Sequence, residues 1–179
     1  GYAYNVMINA ASVASEFNSM VPNEVPENTQ GYEGFYMLNS ISGEVDKAEI
    51  SYILRDFDLD GLNQRKAKIE EITKTLQQKY GEDRIIVEIK DSYYNMKEKI
   101  EPVIYIIDLA KKAMKDADIE PKIVPIRGGT DGARISYMGI PTPNLFTGGY
   151  NFHGYYEYAV AEEMEKAKEV IINIVKNNK

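Results

Sequence analysis

Two short runs dense in aromatic and β-branched residues, YEGFYMLNSISG and KAEISYILRDFD, adjoin across a turn centred on Gly43. That pattern predicts an antiparallel β-hairpin. Upstream, Val6, Ala10, Val13, Phe17 and Met20 recur at spacings of three and four, so the chain is expected to open almost at once into a helix. VPNEVPENTQG, with two prolines, ends that pattern. Downstream, DLDGLNQRKAKIEEITKTLQQKYG puts Leu62, Ile69, Ile72, Leu76 and Tyr80 on one face, with an Asp to cap its start and Gly81 its end. RIIVEIK then reads as a strand. The order α-β-β-α-β is a split β-α-β unit without its first strand, as truncation just upstream of Gly1 would produce.

After about residue 95 the character changes. VIYIIDLAKKAMKDAD reads as a helix, PKIVPI as a short strand, and GGTDGARISYMG as a glycine-led turn into another helix. NLFTGG reads as a further short strand, and the last helix is expected to turn Met164, Ala167, Ile171, Ile174 and Val175 inward. Alternation of helix and strand suggests one flank of an α/β sheet. The fold class is therefore α/β with an α+β first part, divided at 1–95 and 96–179, and the second part holds too few strands for a complete domain.

Composition narrows the function classes. With 44% hydrophobic and 27% charged residues in 179, the chain reads as globular rather than disordered. No run of eighteen apolar residues occurs, so no membrane helix is expected. The balance of 21 basic against 28 acidic residues gives −7, without a basic cluster. Nucleic acid is therefore not an expected partner, since phosphate binding needs grouped Lys and Arg. The absence of cysteine removes disulfides and thiolate metal sites.

Three places could carry chemistry. The single histidine, His153, lies in GGYNFHGYYEY. A lone histidine is ordinarily a hydrogen-bonded residue, here in a tyrosine-lined loop. The alternative is a metal ligand, with Gly148, Gly149 and Gly154 bending the chain around the imidazole and Glu157 or a carbonyl orienting its second nitrogen. One histidine cannot hold zinc, so that reading needs donors from elsewhere. In IRGGTDGARIS, Arg127 follows a strand and Gly128 and Gly129 open a turn, with Thr130 and Asp131 at a helix start. Free N–H groups beside a guanidinium suit a carboxylate, although Thr or Asp at a helix start is most often only a cap. Arg55, at a strand end beside Asp56 and Asp58, ordinarily makes a surface ion pair of little energetic value.

Taken together and in order, GYEGFYMLNSISG, YILRDFD, DSYYNMKEKI, PIRGGTDGARISYMGIPTPNLFTGGYNFHG and the closing helix resemble the peptidase T family. These are dizinc aminopeptidases that remove the N-terminal residue from tripeptides. The resemblance runs from Gly1 to the last helix, and its strongest segments are PIRGGTDGA and TGGYNFHG. It implies a zinc-binding catalytic domain interrupted by a smaller lid domain that pairs subunits into a homodimer. Residues 1–95 would be most of the lid and 96–179 the C-terminal part of the catalytic domain. His153 would be the last zinc ligand, and the other donors would belong to sequence upstream. Arg55 and Arg127 would bind the anionic end of the peptide, and Gly129 and Thr130 would line the site. The expected location is cytoplasmic. Met37 stands where the resemblance implies His, Tyr155 where it implies a basic residue and Thr142 where it implies cysteine. With one candidate ligand, the chain alone is expected neither to hold two zinc ions tightly nor to cleave peptides. The alternatives are a related zinc peptidase or deacylase on the same scaffold, for which the Arg pair is the discriminator, and a non-catalytic dimerisation module.

Overall fold

The hairpin forms as its composition dictates. In the computed structural model, which describes residues 4, 6–92 and 94–178, strand β1 (Phe35–Gly43) pairs antiparallel with β2 (Ala48–Arg55) from Phe35 opposite Arg55 to Gly43 opposite Ala48. The register shifts between Leu38 and Ser40, a bulge that bends the ribbon. The turn itself falls after Gly43, closed by the Glu44 N–H donating to the Lys47 carbonyl at 2.7 Å. Its carbonyls then serve a second purpose. Val45 accepts from the Ala10 N–H at 2.8 Å and Glu44 from that of Ala11 at 3.2 Å. Both donors are first-turn N–H groups of helix α1 (Ala10–Met20), which have no partner inside their own helix.

Helix α1 begins later than the apolar spacing predicts. Asn9 accepts from the Ser12 N–H at 3.1 Å and so caps the helix. Val6, read from the sequence as part of the apolar face, precedes that cap and is exposed. The rest of the expected opening, at residues 1–3 and 5, lies outside the described residues. Ala10, Val13, Ala14, Phe17 and Met20 do form the inward stripe. At the far end Glu16 receives Lys79 at 2.6 Å and the Tyr80 hydroxyl at 2.6 Å, and the Lys79 bond, then the tyrosine, holds its carboxyl below the ordinary range.

Helix α2 (Leu59–Tyr80) is capped by Asp58, which accepts from the Gly61 N–H at 2.8 Å, and ends at Gly81. Ile69, Ile72, Thr73 and Leu76 are its buried residues. At its start lies a half-hidden ionic network. Arg65 donates to Asp56 at 3.0 Å and to Glu24 at 2.7 Å, with the Arg65 and Asp56 side chains only 12% and 10% exposed. The guanidinium lies 4.9 Å over the Tyr36 ring. A side chain at Gly34 would meet the Asp56 carboxylate at 2.2 Å, so the strand entry has room for this network only as glycine.

Contacts divide the chain into two units, Gly1–Ser92 and Tyr93–Lys179. In the first, the stretch expected as a strand, RIIVEIK, joins no ladder among the described residues. A strand is held by inter-strand N–H and C=O pairing, and here the side chains of α2 take that part. Gln77 donates to the Ile85 carbonyl at 2.7 Å, and Lys66 pairs with Asp91. Ile86 is left 88% exposed.

The second unit is built on an antiparallel pair, α4 (Tyr105–Lys115) and α6 (Ala161–Asn177), preceded by the short α3 (Lys97–Ile100). Ala113, Ala117 and Val170 form its buried centre, with Met114, Ile119, Phe146 and Ile174 packed around them. Polar side chains run along the same seam, Lys166 donating to the Ala117 carbonyl at 3.0 Å and Asn177 to Asp116 at 2.8 Å. The inward face of α6 therefore differs from the expected one. It follows Ala167, Val170 and Ile174, while Met164, Ile171 and Val175 lie on an exposed second apolar stripe. PKIVPI forms no strand either, because Pro121 and Pro125 remove two ladder donors within six residues. Of NLFTGG only the final glycine enters a strand, β3 (Gly149–Tyr150), which pairs with β4 (Tyr158–Ala159).

The Arg65 network yields a stability prediction. Arg65→Met leaves the Asp56 carboxylate poorly compensated and should cost the first unit about 2–4 kcal/mol, the upper end being damped because Glu24 is exposed. Arg65→Met combined with Asp56→Ala should cost less than the two single changes summed. Urea unfolding of the three variants measures both; strict additivity would show that the pair contributes nothing as a pair.

Candidate functional site

The histidine loop is a small, self-closed hairpin. Its base is the β3–β4 pairing of Gly149 with Ala159 and Tyr150 with Tyr158, extended by the Val160 N–H donating to the Gly148 carbonyl at 2.8 Å. The Tyr150 and Tyr158 rings stack at 5.2 Å and 14°. The Tyr150 hydroxyl donates to the Glu163 carboxylate at 2.8 Å, which ties the hairpin to α6 and holds the phenol pKa above its ordinary value. Gly148 has φ +77°, and a Cβ there would meet the Glu163 Cβ and the Met164 nitrogen at 2.9 Å. Both its conformation and its close approach to α6 call for glycine.

Inside the loop the left-handed positions are occupied by side-chain-bearing residues. Asn151 has φ 53° and His153 φ 63°. Asparagine and histidine are the residue types that enter this region most readily after glycine, still at a cost of about 1–2 kcal/mol each. Local hydrogen bonds offset that cost. The Gly154 N–H donates to the Asn151 carbonyl at 2.8 Å, the Glu157 N–H to the Gly154 carbonyl at 3.2 Å, and the Asn151 amide to the Tyr156 carbonyl at 3.2 Å. The Glu157 carboxylate takes the main-chain N–H of His153 at 2.9 Å. Glu157 thus acts on the backbone of His153, where the sequence suggested that it would reach the ring. His153 itself is exposed.

The second candidate segment folds as a capped turn. Thr130 precedes helix α5 (Asp131–Tyr137), and its hydroxyl oxygen accepts from the Ala133 N–H at 3.3 Å and from the Asn144 amide at 3.2 Å. The ordinary reading of Thr at a helix start is therefore realised. Ser136 donates to the Gly132 carbonyl at 2.7 Å and accepts from the Thr142 N–H at 2.9 Å, fixing the chain on the far side of α5. Arg127, Gly129 and Thr130 are brought together in this turn, and Arg127 is half-buried. Nearby, burial and then the Glu98 hydrogen bond push the Tyr137 phenol up to about 12.

Arg55 lies in the other unit, at the last position of β2 opposite Phe35. The acidic neighbours proposed for it have other tasks, Asp56 with Arg65 and Asp58 as the cap of α2. Met37 sits within the hairpin opposite Ile53. Among the described residues, no group of three or more His, Cys, Asp or Glu side chains is placed to hold a metal ion, and no helix is long and apolar enough to cross a membrane. Sequence reasoning missed Asn144 and Glu163, whose partners Thr130 and Tyr150 lie 14 and 13 residues away. Asn151 was missed as well, although an Asn and a His in NFHG are residue types that enter the left-handed region most readily after glycine.

No family model matches the chain. Curated relatives do. The chain is 58% identical over 177 residues to peptidase T of Geobacillus sp. (strain WCH70), a match covering 98% of this chain and 43% of that protein. It is 59% identical to peptidase T of Clostridium perfringens (strain 13 / Type A), over 98% of this chain and 44% of that one. The chain thus spans less than half the length of these relatives. Among solved structures, aminopeptidase PepT of Bacillus cereus ATCC 10987 superposes with TM-score 0.70 at 19% identity, over 99% of this chain and 47% of that one. A tripeptidase of Staphylococcus aureus gives 0.69 at 16%, over 94% and 45%. At those identities the structural likeness establishes the fold alone, an α/β one.

The geometry at the hairpin base makes one substitution diagnostic. Gly148→Ala puts a side chain into left-handed backbone and against α6, and should destabilise the second unit by at least about 1–2 kcal/mol. A thermal unfolding curve unchanged from the parent would show that the 148–160 hairpin does not sit on α6 as described.

Proposed function

We propose that this chain is part of a peptidase T, with residues 1–95 as most of its lid and 96–179 as the C-terminal part of its catalytic domain. The observation that carries the reading is identity to peptidase T running through nearly the whole chain at more than half of all positions. The whole enzyme would remove the N-terminal residue from tripeptides, act in the cytoplasm, and pair into a homodimer through the lid.

His153 fits the part of one zinc ligand. It offers an imidazole nitrogen, it is exposed, and its main chain is held by the hairpin and by Glu157. It does not fit as a complete site, because zinc takes three or four protein donors and the described residues gather no such group. The remaining ligands would come from the part of the enzyme outside this chain. When bound, the two zinc ions would supply polarisation of the scissile carbonyl and activation of a water.

The other residues recognise the peptide. Arg55 and Arg127 would take its terminal carboxylate, since guanidinium pairs with carboxylate through two parallel, charge-assisted hydrogen bonds. A tripeptide places that carboxylate at a fixed distance from the cleaved bond. A longer peptide would present a neutral amide there in place of the carboxylate, which discriminates against it. Thr130, committed to its cap, would shape the site rather than bind charge, and Gly129 beside it would let the peptide approach the backbone.

Arg55→Ala and Arg127→Ala, each in the full-length enzyme, should raise KM for free tripeptides by about 10–100-fold, the range for a lost hydrogen bond to a charged group. For C-terminally amidated tripeptides the rise should be much smaller. Equal effects on the two substrates would remove the carboxylate clamp.

A further inference from the structure

We infer that Glu157 is a positioning residue for His153, acting through the main chain. The inference rests on the reading of His153 as a zinc ligand. A ligand side chain is useful only if its Cα–Cβ bond points in one direction, and that direction is set by φ and ψ. At φ 63° the backbone of His153 is in a region that a free chain would leave for extended or right-handed conformations. Something must hold it there.

The loop offers one group suited to that task. The N–H of His153 donates to Glu157 Oε2 at 2.9 Å, four residues on. Rotation of φ out of the left-handed region would swing this N–H away from the carboxylate, so the bond selects the conformation directly. Because the acceptor is ionised, the bond is stronger than a neutral one. Glu157 is itself placed by its own N–H on the Gly154 carbonyl at 3.2 Å, and directly after it Tyr158 enters the β3–β4 pairing opposite Tyr150. The chain of dependence runs from α6, through Glu163 and Tyr150, to the strand pair, to Glu157, and then to the histidine backbone. Metal ligands are commonly oriented by a partner on the second ring nitrogen. Here the orienting partner grips the peptide group instead, which leaves both ring nitrogens available.

The test uses the full-length protein with Glu157→Ala, Glu157→Gln and His153→Gln. Zinc affinity is measured by competition with a chromophoric chelator, and loop order by amide hydrogen exchange of residues 151–157. Glu157→Ala should weaken the tighter-held zinc by about 10–100-fold, the usual effect of losing an outer partner of a ligand, and should speed exchange in the loop. Glu157→Gln keeps an acceptor of the same shape and should recover most of both. Wild-type zinc affinity in Glu157→Ala, with affinity lost in His153→Gln, would overturn the role of Glu157 and leave His153 as a ligand. Unchanged exchange in Glu157→Ala would also overturn it. Wild-type affinity in His153→Gln would overturn the zinc reading itself, and the positioning role with it.

Discussion

A single main-chain N–H, that of His153 given to the Glu157 carboxylate, organises the candidate site. Left-handed backbone is unfavourable for a residue with a Cβ, so two such residues, Asn151 and His153, separated by one position, require support from outside themselves. The supports are layered: turn hydrogen bonds within 151–157, a short strand pair beneath them, a stacked tyrosine pair, and a tyrosine–glutamate contact to α6. Strained backbone that persists because its surroundings over-determine it is a feature of ligand-holding loops. The loop is thus held at several points while His153 stays exposed.

The first unit follows a comparable rule on a larger scale. An isolated two-stranded hairpin is marginally stable at best in water, and this one is clamped at both ends. At the turn, Glu44 and Val45 carbonyls cap α1; at the open end, Arg65 draws Asp56 and Glu24 together over Tyr36. Arg55 is the last residue of β2, next to that network, so its direction is inherited from the strand end that Asp56 anchors. Of the two Asp residues beside Arg55, Asp58 caps the helix and Asp56 holds the arginine of the helix.

What the sequence made legible was periodic or chemically specific. The hairpin, helix α2 with its Asp58 and Gly81 ends, and the Thr130 cap could all be read from spacing and residue type. What was not legible depended on partners. RIIVEIK and PKIVPI have strand composition, yet a strand exists only with a neighbour, and composition does not say whether one is present. Helix α6 carries two apolar stripes, and only packing decides that Val170 rather than Ile171 faces α4. The role of His153 lay further out of reach, since one imidazole without companions is chemically ambiguous. The resemblance carried by TGGYNFHG implies a zinc ligand where periodicity implies nothing, and the structure adds how the main chain of that residue is held.

The zinc reading stands or falls on what the His153 ring touches in the full-length protein. An X-ray structure of the full-length protein with zinc, phased at the zinc edge, measures this directly. The account predicts anomalous density about 2.0–2.1 Å from one ring nitrogen of His153, the usual zinc–imidazole distance. A ring packed against protein atoms, with the zinc density elsewhere, would contradict it.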